Sequence, residues 1–278
     1  MEFATCSEPW RDVPIEQVFA IAARIGFAGV EVAPFTIAER VDEISTDRRK
    51  RIVKAAADAG VDVVGLHWLF VSPKGLHLTT PDDAVRAKTA DYLKALVNFC
   101  GDLGGKVMTL GSPNQRNIEP PNTFEEGFKR AKDVLASVAG ACADRGVTIC
   151  IEALAPAETN FIQTAAEAAR LADEISHPNI DIMLDVKAMG SMPDGIIETI
   201  RRFGGRARHV HANHPSGKGA GMPLAEGDGD PLDFKAILKA LAEVGFDRWV
   251  SLEPFDYKPD PTTVAQVGLK TLKAAMPA

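Results

Sequence analysis

The chain has 278 residues, 46% of them hydrophobic and 25% charged, a length and composition that suit a globular protein with a substantial core. Its formal net charge of −7 argues against nucleic acid as a partner, because such binding depends on neutralising phosphates. No apolar run approaches the ~18 residues of a membrane span, no basic-then-apolar leader opens the chain, and Cys6, Cys100, Cys142 and Cys150 form no CxxC pair, so a cytoplasmic protein with free thiols is expected.

Short apolar runs alternate with amphipathic stretches along the whole length. In chain order the runs are Glu2–Cys6, Gly29–Pro34, Val61–Phe70, Lys106–Gly111, Val147–Leu154, Ile180–Met189, Ala207–His214 and Trp249–Phe255. Each is followed by a segment with helical periodicity. After the first run, Val18, Ile21, Ala22 and Ile25 share one face. After the fourth, Thr123 and Glu126 have capping-box spacing ahead of Phe128, Ala131, Val134, Leu135 and Val138. Gly26, Gly60, Gly146 and Gly245 stand where a left-handed helix end would precede the next strand. Eight such β–α units predict an α/β fold closed as a (β/α)8 TIM barrel, with residues 1–278 forming a single domain. A doubly wound open sheet is the alternative, but no run is followed by GxGxxG.

Side chains alternate between the two faces of a strand. Ile149 and Ile151 oppose Thr148, Cys150 and Glu152. Ile182, Leu184 and Val186 oppose Asp181, Met183, Asp185 and Lys187. Val210 and Ala212 oppose His209, His211 and Asn213. Val250 and Leu252 oppose Trp249, Ser251 and Glu253. The uniformly apolar face suits a covering ring of helices, so the other face points into the barrel. Four successive strands then each deliver an ionisable group to the C-terminal mouth, where such barrels keep their active sites: Glu152, Asp185, His211 and Glu253. Three carboxylates and an imidazole confined together repel and lose hydration, and a divalent cation resolves both problems. Three oxygens and one nitrogen suit one Mn2+ or Mg2+, with Co2+ or Zn2+ as alternatives. The competing reading is four unrelated polar residues paired with bases such as Lys187 or Arg208.

Ile151-Glu152 followed by Glu158-Thr159-Asn160, then Leu184-Asp185, His209-Val210-His211 and Leu252-Glu253-Pro254, together resemble the xylose isomerase-like barrel superfamily. The likeness is to its sugar (phosphate) isomerases and epimerases of the D-tagatose 3-epimerase type. Gly29-Val30-Glu31 and Gly65-Leu66-His67-Trp68 fit its second and third strands, so the resemblance covers nearly the whole chain. It implies that Glu152, Asp185, His211 and Glu253 bind one metal and that Glu152 and Glu253 also move the proton. The implied reaction removes a proton beside a carbonyl through a metal-stabilised enediolate. Two carboxylates on opposite sides of the carbon give epimerisation; one base serving two carbons gives isomerisation. The substrate is then a ketose, sugar acid or sugar phosphate, and a homo-oligomer, dimer or tetramer, is expected.

Other candidates for substrate contact are Glu158, whose alternative is capping the next helix, His67 with Trp68 beside it, and the inward-facing Glu31, whose alternative is pairing with a lysine or arginine. Lys187 is expected at the pocket mouth, against a substrate anion or a neighbouring acid. His214 and Lys218 lie in the loop after the seventh strand, and Trp10 and Phe35 could shape the rim. Two departures from the epimerase pattern fall where substrate is held: Ala188 replaces a histidine, and Gly227–Asp230 replaces a loop bearing an arginine. They leave open a lyase or dehydratase acting on a keto-sugar or 3-keto-glycoside. A nuclease of the same superfamily needs more histidines than the six present. A non-catalytic barrel leaves the four ligands without a purpose.

Overall fold

The computed structural model describes residues 1–277. Strands and helices follow one another as β1 (Glu2–Cys6), α1 (Ile15–Ile25), β2 (Gly29–Val32), α2 (Thr46–Ala59), β3 (Asp62–Leu66), α3 (Asp83–Asp102), β4 (Val107–Leu110), α4 (Phe124–Arg145) and β5 (Thr148–Ile151). The second half continues with α5 (Ala165–Ile175), β6 (Ile180–Ile182), β7 (Leu184–Asp185), α6 (Val186–Met189), α7 (Gly195–Phe203), β8 (Val210–Ala212), α8 (Phe234–Glu243), β9 (Trp249–Leu252) and α9 (Pro261–Ala275). The strands are all parallel, in the order β6-β5-β4-β3-β2-β1-β9-β8-β7.

β6 and β7 are two halves of one strand, parted at Met183. The Met183 N–H donates to Ile151 O on one side, and the next N–H, of Leu184, donates to His209 O on the other. The strand thus changes partner from β5 to β8 within one residue, which closes the ring. Counted this way the fold is a (β/α)8 TIM barrel.

Local chemistry explains the element ends. Thr123 and Glu126 form the reciprocal capping box of α4, and Thr164 and Glu167 do the same for α5. Gly26 and Gly146 are left-handed caps with φ of 101° and 60°, a region that costs other residues more. The two strand faces separate as parity requires. Ile149, Ile151, Ile182, Leu184, Val210, Val250 and Leu252 pack outward into the core beneath the helices. Each such buried side chain contributes about 1.5–3 kcal/mol. Ala4, Val64, Val107, Cys150 and Met183 fill the base of the barrel interior, with Trp249 against them. Among the described residues, no helix is long and apolar enough to cross a membrane.

Candidate metal centre and pocket

Glu152 and Glu253 each follow the last residue of a strand, β5 and β9; Asp185 ends β7 and His211 is central in β8. Their ligand atoms lie within 4.8 Å of one another, and all four residues are buried. His211 Nδ1 sits 2.9 Å from Glu253 Oε2 and 3.4 Å from Glu152 Oε1, yet it has no hydrogen-bond partner. Its Nε2, by contrast, is hydrogen-bonded to Glu31 Oε2 at 3.0 Å. A neutral imidazole carries one N–H. In the neutral form, a proton on Nε2 toward Glu31 leaves the Nδ1 lone pair facing the carboxylates, the state in which a histidine ligates a metal.

The carboxylates are not alike. Burial first, and then the neighbouring Glu152 and Glu253, push Asp185 up to about 7. Burial also raises Glu152. Burial works upward on Glu253 as well, but His211 and His67 outweigh it and hold that carboxyl at about 2. Asp185 is oriented through both oxygens, accepting the Ala188 N–H at 2.6 Å and Asn213 Nδ2 at 2.7 Å. Among the described residues, no lysine or arginine is ion-paired with any of the three. Arg208 instead pairs with Asp181 and Lys187 with Glu158, so the pairings that would make the four residues unrelated are spent elsewhere. Gly111 leaves the space that Glu152 occupies; a Cβ there would collide with the Glu152 carboxylate. The orphaned Nδ1 and the oxygen-rich donor set fit one divalent cation.

Above these groups opens a cavity of about 330 Å3. His67, Trp68, Glu158 and Lys187 line it, together with Lys74, Ser112, Gln115 and Phe255. Lys187 reaches it by a different route from the one strand parity implies. The strand ends at Asp185, and Lys187 projects from α6, its N–H held by Asn213 Oδ1 at 2.8 Å. Its Nζ lies 2.6 Å from Glu158 Oε1 and 5.2 Å from the centre of the Phe255 ring. Trp68 has φ of 54°, a left-handed conformation costly for a bulky side chain. The turn sends its indole to the rim, between Phe35 at 6.1 Å and Phe255 at 6.3 Å, while His67 stays buried.

Two expected contacts lie elsewhere. Glu31 is fully buried and does not line the cavity. It accepts from Thr109 Oγ1 at 2.7 Å and meets His209 Nε2 at 2.8 Å as well as His211, so its partners are histidines rather than lysine or arginine. Burial opposes its ionisation, but the two imidazoles hold it well below the usual carboxylate range. His214 also turns away from the cavity; its ring nitrogens are engaged by Ser216 Oγ at 2.9 Å and Asp230 O at 3.0 Å within its own loop. Lys218 pairs with Asp256, and Trp10 is buried in the core.

Three residues of the surroundings escape sequence reasoning. Arg116 is buried and donates to Glu152 O at 2.7 Å, pinning the backbone that carries that carboxylate. Asn213 ties Asp185 to Lys187. Glu8 lies 3.1 Å from His67 Nε2. Glu8 opens the short 3-10 turn Glu8–Trp10 and Arg116 follows another, Pro113–Gln115, where no strand or α-helix period marks them; Asn213 shares the inward parity of His211, and that was its only signal.

The model of the xylose isomerase-like TIM barrel family matches residues 19–275. A probable ketose 3-epimerase of Synechocystis sp. is 24% identical over 278 residues, covering 93% of this chain and 90% of that protein. D-psicose 3-epimerase of Clostridium cellulolyticum H10, solved with D-tagatose, superposes with a TM-score of 0.83 at 19% identity over 100% of both chains. The 3-keto-D-glucoside 4-epimerase of E. coli superposes equally well, with a TM-score of 0.83 at 17% identity over 99% of each chain. The chain belongs to the xylose isomerase-like TIM barrel family.

Proposed function

We propose that this chain is a divalent-metal-dependent epimerase or isomerase acting on a ketose-like sugar. The observation that carries the reading is the convergence of Glu152, Asp185, His211 and Glu253 on one point at the floor of the cavity, with His211 Nδ1 unpartnered. The kinship with ketose 3-epimerases supports it. The four residues hold the cation, Mn2+ or Mg2+ in first place and Co2+ or Zn2+ after them. When bound, it supplies positive charge to the oxygens beside the reacting carbon.

Glu152 and Glu253 move the proton. They form the acid/base pair, Glu152 reaching the cavity from the end of β5 and Glu253 from the end of β9. His67 and Trp68 form the wall beside the reacting carbon. The Lys187–Glu158 pair offers a donor and an acceptor side by side to neighbouring hydroxyls. The enzyme works in the cytoplasm.

The test is incubation with Mn2+ and a panel of ketoses in deuterated water. The expected result is deuterium at the carbon beside the carbonyl together with an epimer or aldose. Glu152→Gln and Glu253→Gln each slow the exchange by about 10²–10⁴-fold, the usual worth of a positioned acid or base. Metal-independent exchange, or no exchange with any ketose, overturns the reading. The half-exposed aromatic rim of Trp68 and Phe255 favours one second reading, a lyase or dehydratase on a keto-sugar or 3-keto-glycoside whose second group rests on those rings. Loss of water or of an aglycone in the same assay would identify it.

A further inference from the structure

We propose that Cys6, Glu8 and His67 hold a second divalent cation, thiophilic and of the Zn2+ class, beside the oxygen-rich centre. Cys6 ends β1, Glu8 opens the short 3-10 turn Glu8–Trp10 behind it, and His67 directly follows β3. The Cys6 Sγ, a Glu8 carboxylate oxygen and a His67 ring nitrogen lie within 4.8 Å of one another, and all three residues are at most 1% exposed.

Close approach alone does not make a metal site, because a histidine and a glutamate also meet as an ordinary hydrogen-bonded pair. This barrel contains both kinds of meeting, and they differ in geometry. His209 and His211 approach Glu31 through Nε2 at 2.8 and 3.0 Å, and both contacts are hydrogen bonds. His211 Nδ1 approaches Glu253 at 2.9 Å without one, and both belong to the four residues whose ligand atoms cluster within 4.8 Å. His67 Nε2 and Glu8 Oε2, 3.1 Å apart, fall in the second class. Both Glu8 oxygens and both His67 ring nitrogens are without a hydrogen-bond partner.

A buried carboxylate whose oxygens accept no hydrogen bond is costly to keep. Among the described residues, the only side chain ion-paired with Glu8 is His67. A dication between them completes both groups at once, and the Cys6 Sγ supplies a third donor. One sulfur, one nitrogen and one oxygen, with a fourth position left open, match a zinc site better than a manganese or magnesium site. As the metal–sulfur bond forms, the Cys6 thiol proton leaves to solvent. His67 also presents Nδ1 to Glu253 Oε1 at 3.5 Å, so the second cation would fix the imidazole that separates the two centres.

The test is a Co2+ titration of the metal-stripped full chain, with absorption spectra and elemental analysis. Cobalt reports sulfur ligation through a thiolate-to-metal charge-transfer band, and the four residues of the first centre contain no sulfur. The expected result is two equivalents per chain, one of which brings the band. Cys6→Ala removes the band and one equivalent. Asp185→Asn keeps the band and loses the other equivalent. Glu8→Gln, which preserves size, weakens the sulfur-bearing site by at least about tenfold, the scale for losing part of a ligand shell, and it decides the matter if Cys6→Ala does not fold. A single equivalent with no band overturns the proposal, and so does a band that survives Cys6→Ala. None of these readouts needs a substrate, so they stand apart from the sugar reading.

Discussion

At the base of the ring, Ala4, Val64, Val107, Cys150 and Met183 plug the interior, and Asp181 is clasped by Arg206 and Arg208, each at 2.9 Å. A few residues further along the same strands, Glu152, Asp185 and Glu253 face one another with no arginine or lysine between them. Both ends use the two-residue repeat of the strand, so the same backbone serves an apolar seal and a charged mouth. At the base the buried Asp181 is paired within the protein. At the mouth, among the described residues, no lysine or arginine is ion-paired with the three carboxylates.

That contrast can be broken from either end. The largest effect is expected from Asp185→Asn, which removes the negative charge and turns one of the two accepting oxygens into a donor: affinity for Mn2+, read by calorimetry, falls by more than about 100-fold. At the base, Met183→Ala opens a cavity and costs about 2–5 kcal/mol in denaturant unfolding, while Mn2+ affinity stays as in the parent. Should the base variant lose metal as well, the two ends are not independent. Glu31→Gln keeps the shape but weakens the hold on His211, and about 10–100-fold lower Mn2+ affinity is expected.

The mildest perturbation is pH. Asp185 is raised to about 7, and the cation needs it ionised, so Mn2+ affinity falls as pH drops from 8 to 6, by up to about tenfold per unit for one displaced proton. The sign for the metal-free fold is the reverse. A raised carboxyl stabilises the fold while it is protonated, and that contribution is lost as pH rises through about 7. Mn2+ therefore raises Tm more at pH 8 than at pH 6, and an equal rise at both would count against the role of Asp185.

The four converging residues were legible because three of them obey strand parity up to or just past the strand end, and the fourth closes β7 before the chain turns. Lys187 shows the limit: parity stops where Asp185 caps α6, so its place in the pocket followed from a helix that four residues could not announce. Glu8 and Arg116 were invisible for a related reason. They sit in or just after short 3-10 turns, where neither period operates, and only folding brings Glu8 to His67 across an intervening strand. The partners of Glu31 were also out of reach. Its inward direction was readable, but not that two histidines of β8 and the residue before it would claim it ahead of any substrate.

The change of partner at Met183 has a consequence for self-association. An open sheet exposes a row of unpaired N–H and C=O groups on which another chain can add a strand. Here one residue splices β5 to β8 and leaves the described sheet no long free edge. Copies of this protein that assemble must therefore meet through helices or loops, with side-chain complementarity, and not by β-augmentation.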